Sequence, residues 1–219
     1  LANVLLKVGD VRLTGSAQFA LEISSVSADV DGAGAGPLLD ARLLQFALAV
    51  NELGVYVKDV ASLKVSGQLA LASLQPVVLT DTRSWTALKM GAVVVTGNVK
   101  LGVGELTAAI TVQGLDLNLA SAPVGTLASR LDWTKAFDLD GDGQFDDVVN
   151  PGALLPTPVA LAIDYAASLQ VRLRGTLTGT ASEAAWDVNL DGDTLDAGDS
   201  LANVLLKVGD VRLTGSAQF

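Results

Sequence analysis

Apolar and polar residues alternate along most of this chain with the two-residue period of a β-strand. From Val11 the odd positions Leu13, Gly15, Ala17, Phe19, Leu21 and Ile23 are apolar, and Arg12, Thr14, Ser16, Gln18 and Glu22 stand between them. The same alternation recurs over Leu63–Leu71, with Lys64, Ser66 and Gln68 on the other parity, and over Val93–Val103. Its longest run goes from Val159 through Ile163, Tyr165 and Val171 to Leu177. Each run predicts a half-buried antiparallel strand with one dry and one wet face. Further strands are predicted over 42–58 and 105–119, each slipping phase once, near Glu52-Leu53 and near Gln113-Gly114, as a β-bulge would require. Three runs share an apolar-x-apolar-Thr/Ser-Gly core: VRLTGSAQF at 11–19, LKVSGQLAL at 63–71 and VVVTGNVKL at 93–101. Their glycine falls on the apolar parity, where it makes room for a bulky neighbour or a sharp coil of the sheet. A short turn near Pro123–Asp132 is the only helical signal.

Ordinary strands run about 5–6 residues. Several here approach about 15–20, or about 50–65 Å at the usual rise. The predicted fold class is therefore all-β, with long antiparallel strands forming an elongated barrel, tube or sandwich repeated in tandem.

The tandem element is explicit. Residues 201–219, LANVLLKVGDVRLTGSAQF, repeat residues 1–19 letter for letter. Residues 1–200 form one period of long strands with two acidic loops, and 201–219 form the first strand of the next, identical repeat. In the first copy Phe19 runs on into Ala20-Leu21-Glu22-Ile23 with its alternation intact, so Phe219 is expected to fall in mid-strand. The chain reads as a segment of a longer natural array, the alternative being an engineered overlap that completes a fold. On both readings the strand at 8–23 belongs structurally with the preceding repeat as much as with its own.

Composition narrows the chemistry. Half of the residues are hydrophobic but only 5% are aromatic, a mixture suited to strands of small and branched side chains. The net charge of −10 argues against nucleic acid as a partner, since phosphates need a basic surface. The chain has no cysteine and no histidine, which removes disulfides, thiol nucleophiles, Ser-His-Asp triads and the usual zinc sites. No apolar run reaches the about 18 residues of a transmembrane helix. The glycine run at 32–36 lacks the lysine and the strand-to-helix context of a phosphate loop.

Two segments carry calcium-type spacing. In the first, Asp138, Asp140 and Asp142 take positions one, three and five of an acidic loop, and Gly143 takes the sixth, where the chain must turn. The Gln144 carbonyl is seventh and Asp146 is ninth, but the twelfth residue is Val149, so Asp147 or a residue elsewhere must close the shell. The second segment begins alike with Asp187, Asn189, Asp191 and Asp193, and its closing acids, Asp196 and Asp199, fall one place late. Aromatic residues precede both loops, Trp133 and Phe137 for the first and Trp186 for the second, and are placed to anchor them. A metal on the second loop, just ahead of Leu201, would stiffen the connection between repeats. The stretch Asp29-Val-Asp31-Gly-Ala-Gly-Ala-Gly36 reads as a glycine-rich turn.

The two loops resemble those of dockerin modules and of repeat domains in bacterial adhesins, over about 10–13 residues each. The whole pattern of identical copies, Ala/Val/Leu/Thr/Gly strands and DxDxDG loops without cysteine resembles the tandem repeats of giant secreted bacterial surface proteins. That resemblance implies a non-enzymatic, extracellular or cell-surface structural protein, a calcium-stiffened stalk, filament or sheath. Its partners would be neighbouring identical repeats, joined by strand completion. Two alternatives stand beside it: a ligand-binding adhesin module, and an outer-membrane β-barrel, which positive mean hydropathy favours and the missing aromatic girdles oppose.

Overall fold

The computed structural model describes residues 4–32, 38–100, 105–123, 129–182, 204–208, 211–214 and 217–218. It is all-β. Strands β1 (Val4–Val8), β2 (Val11–Ala28), β3 (Leu39–Val57), β4 (Ala61–Pro76), β5 (Ser84–Lys100), β6 (Glu105–Ser121) and β7 (Val171–Ser182) run as one antiparallel meander. Strands β8 (Val204–Val208) and β9 (Val211–Thr214) pair with each other. A last strand, β10 (Ala217–Gln218), adds to the free edge of β7. The sheet is open, with β1 at one edge and β10 at the other. The 18 residues of β2 and 19 of β3 extend for about 60 Å, since each residue adds about 3.3 Å.

The predicted phase slips mark real irregularities. Asn51 and Glu52 of β3 lie where the ladder to β4 jumps from Val50 to Leu53. Gln113 of β6 is skipped by the ladders to β5 and to β7. The shared glycine has a definite job in β2, because a Cβ at Gly15 would meet the Leu53 side chain and stand 2.6 Å from the Glu52 carbonyl oxygen.

The predicted strand over 159–177 is corrected. Strand β7 begins at Val171, and the residues ahead of it belong to an irregular cap, 129–170, laid over one half of the sheet. The alternation is genuine, with Leu161, Ile163 and Tyr165 buried. Their partner is the face of the sheet, and the ladder contact there is a single bridge from Ile163 to Val149. The 3-10 turn of the cap, Pro151–Leu154, is the helical element among the described residues. The expected turn near Pro123–Asp132 falls largely on 124–128, outside them.

Which face is covered also departs from expectation. The cap contributes Leu131, Trp133, Phe137, Val149, Ile163 and Tyr165 to the core, and they pack on Ala28, Ala41, Leu43, Ala72, Leu74 and Ala87 of the sheet. Those sheet residues stand on the parity of the small and polar side chains. The parity of large side chains faces the other way, where Phe19 is 70% exposed and Leu21 is 60% exposed. The alanines let the irregular backbone approach the sheet closely enough to bury its aromatic rings, and Leu43, Leu74 and Trp85 of the same face fill the space around them.

Candidate metal centre and the cap that holds it

The first acidic loop lies on the cap, between two core anchors. Trp133 and Phe137 are both fully buried, with ring centroids 5.7 Å apart. Phe137 bridges to Ala28 at the end of β2 and to Asp147 beyond the loop, so the loop leaves and rejoins the core at the same residue. On the far side Val149 is buried and bridges Ile163. Position twelve of the loop is therefore spent on packing.

Between the anchors the chain folds around its own carboxylates. Asp138 accepts the backbone N–H groups of Gly141 (2.8 Å) and Gly143 (3.0 Å). Asp147 Oδ2 accepts those of Leu139 (2.6 Å) and Asp140 (3.0 Å). Gly143 takes φ +87°, a left-handed backbone that side chains other than glycine's disfavour, which accounts for glycine at the sixth position. Oxygens of Asp138, Asp140 and Asp147 lie within 4.8 Å of one another. Three like charges at that spacing repel by about 0.9 kcal/mol per pair even in water. A hard cation reverses the sign of that interaction, and carboxylate oxygens are hard donors of the kind calcium takes.

The structure thus brings two of the predicted ligands of this loop, Asp138 and Asp140, together with Asp147. Asp142 instead accepts the backbone N–H and the side-chain amide of Gln144, at 2.8 and 3.3 Å. Gln144 and Asp146 stand outside the three-carboxylate group. The second loop, Asp187, Asn189, Asp191, Asp193, Asp196 and Asp199, lies outside the described residues.

What the sequence did not reveal is how the cap is fastened. Asn118 of β6, fully buried, donates to the carbonyls of Leu131 (2.9 Å) and Ala166 (3.3 Å) and accepts from the indole N–H of Trp133 (3.1 Å). Two residues earlier the buried Asp116 takes the Tyr165 hydroxyl on Oδ1 at 2.8 Å and the Arg172 guanidinium on Oδ2 at 2.7 Å. Burial first, and then the Asp116 carboxylate beside it, push the Tyr165 hydroxyl well above the ordinary tyrosine range. Lys89 of β5 reaches the cap at the Ala162 carbonyl (2.6 Å) and at Asp164 (3.0 Å). Polar residues breaking an apolar strand, Asp116 and Asn118 in LDLNL, were the available signal.

Beside the cap a cleft of about 570 Å³ is lined by acids Asp29, Asp31 and Asp132 and by cations Arg83, Arg130 and Lys135. Arg83 grips Asp81 with two nitrogens and Arg130 donates to the Ala167 carbonyl, so both serve local structure. Asp29, predicted in a glycine-rich turn, is buried and accepts the Gly32 N–H at 2.9 Å. Among the described residues no helix is long and apolar enough to cross a membrane. No family model, curated protein or solved structure matches the chain.

Proposed function

We propose that this protein is a structural repeat, one segment of an extracellular stalk, filament or sheath assembled from chained copies of the same sheet. One observation carries the reading. The same nineteen residues supply the β1–β2 hairpin at one edge of the sheet and, as residues 201–219, a separate β8–β9 hairpin together with β10, which adds to the free edge of β7. The two hairpins even share their register, Val4 opposite Thr14 and Val204 opposite Thr214, each with the same irregularity. A sheet that ends in a copy of its own beginning is suited to chaining. The proposed role is accordingly mechanical. An open edge is sticky, and a neighbouring copy is the natural cover for it.

Calcium is the proposed ion, on Asp138, Asp140 and Asp147. It would tie the exposed loop of the cap to itself and make stability depend on external calcium. Electron microscopy of the protein in millimolar calcium, and again after chelation, tests this. Straight fibres that soften on chelation are expected, and compact particles indifferent to both conditions would overturn the reading.

A second reading, an outer-membrane barrel, draws on the continuous apolar face that carries Phe19, Leu21 and Ile23. Co-sedimentation with lipid vesicles separates it from the first, because a filament stays in the aqueous phase.

A further inference from the structure

The strand order gives the address of the next copy, and the registers give its position to the residue. Gly15 of β2 faces Leu53, which faces Val65, then Val95, Ile110 and Leu177. Leu177 in turn faces Ala217, the equivalent of Ala17. One row across the sheet therefore starts at residue 15 of one copy and ends at residue 17 of the next. The offset is even, so a side chain on one face of a copy stays on that face in the adjoining copy. An odd offset would turn every apolar row over.

We propose that the sheet passes without a break from copy to copy, with residues 15–23 of the next copy adding to β7 in the register that Ala217 and Gln218 set. The proposal rests on the structural-array reading and names its joint. Continuing the antiparallel pairing past Gln218–Thr176 sets Phe19 of the next copy opposite Gly175, Leu21 opposite Leu173 and Ile23 opposite Val171.

Three features of the two edges fit this register. Val171 and Leu173 on one side, and Leu21 and Ile23 on the other, are all about half exposed or more in this chain, and the joint brings them side by side. The apolar row Phe19–Leu48–Leu69–Met90–Leu115–Leu173 then continues into Leu21 of the next copy. Glycine opposite an aromatic ring, as at Gly175, lets the ring lie over the bare backbone. On the other face Glu22, the one acid of β2, falls opposite Arg172, whose Nε serves Asp116 and whose side chain is still about half exposed. Among the described residues β1 pairs with 11–14 of β2, and none of them pairs with 15–23 along that edge, where β7 of an adjoining copy would add. Each copy would stand about 7 Å, two residues, further along the strand direction than the last, and about 29 Å across, six strands on.

The test uses the absence of native cysteine. Because β10 of the same chain already lies on β7, residues 15–23 of one chain must take the place of 217–218 of the other. Full-length Leu21→Cys is therefore mixed with full-length Leu173→Cys, and the two are unfolded and refolded together at high concentration, and oxidised. The same is done with Val171→Cys, shifted two residues, and with Arg174→Cys, on the opposite face. All four sites are exposed, and circular dichroism of each variant checks that the sheet persists. The in-register pair is expected to give at least tenfold more disulfide-linked heterodimer than either control, and Ile23→Cys with Val171→Cys is expected to behave like it. Preference for a control pair would overturn the register and leave the array reading standing, as would fibres without any linked dimer. Monomers without any linked dimer would overturn both.

Discussion

Asn118→Ala removes one side chain and unfastens the cap from the sheet at three points. The amide is fully buried, and its loss leaves the Trp133 indole N–H and the Leu131 carbonyl without their partner in a site that water does not reach. A buried donor or acceptor stripped of its partner costs about 1–3 kcal/mol. The Ala166 bond, at 3.3 Å and only partly buried, adds less. With a small cavity term, the expected destabilisation is about 3–5 kcal/mol. Trp133 lies in the core and reports on it directly, so urea denaturation followed by tryptophan emission is the assay. Because Trp133 and Phe137 anchor the acidic loop, the same variant should also bind calcium more weakly, read by titration calorimetry. A cost below about 1 kcal/mol would refute the claim that Asn118 holds the cap. A full cost with calcium affinity unchanged would refute the claim that the cap positions the loop.

The Tyr165 proton is held more tightly in the folded chain than in the unfolded one, so this contribution is complete below about pH 10, the ordinary tyrosine value, and is lost progressively above it, as pH rises toward the raised value of the folded chain. The loss should run at about 1.4 kcal/mol per pH unit, and Tyr165→Phe should remove that slope from the alkaline branch of the stability curve. Calcium at a hundred times its dissociation constant should add about 2.7 kcal/mol to unfolding. The double variant Asp138→Asn and Asp140→Asn should abolish the increment without loss of β-sheet circular dichroism; a persistent increment would move the ion elsewhere. Gly15→Ala drives a methyl group against Leu53 and the Glu52 carbonyl and should cost about 1–3 kcal/mol, seen as a lower urea midpoint at unchanged slope. An unchanged midpoint would mean that the two strands yield there.

The alternation of side chains was enough to find β2 to β6, because strand period is a local property carried by neighbours in sequence. The bulges at Asn51-Glu52 and Gln113 were legible for the same reason, since an extra residue reverses the phase on the spot. The exact copy of residues 1–19 at 201–219 was plain on inspection. So was the loop of Asp138 and Asp140, whose glycine falls where the backbone turns left-handed.

Other features depended on residues distant along the chain. Alternation over 159–170 says that every second residue is buried, but a cap lying on a sheet and a strand within it produce the same pattern. Only packing of Ile163 and Tyr165 on the sheet decided between them. The covered face was likewise beyond reach, because parity groups side chains without saying which group the cap will need. The cap lies on the face of Ala41, Ala72 and Ala87, which let its backbone come close, with Leu43, Leu74 and Trp85 among them, and leaves Phe19 and Leu21 facing outward. Asp147 displaced Asp146 in the carboxylate group because Phe137 pairs with Asp147 and fixes where its carboxylate points. Sequence thus determined the strands, the repeat and the acidic loop. Tertiary structure decided the partners across the sheet, which are set by contacts between residues tens of positions apart.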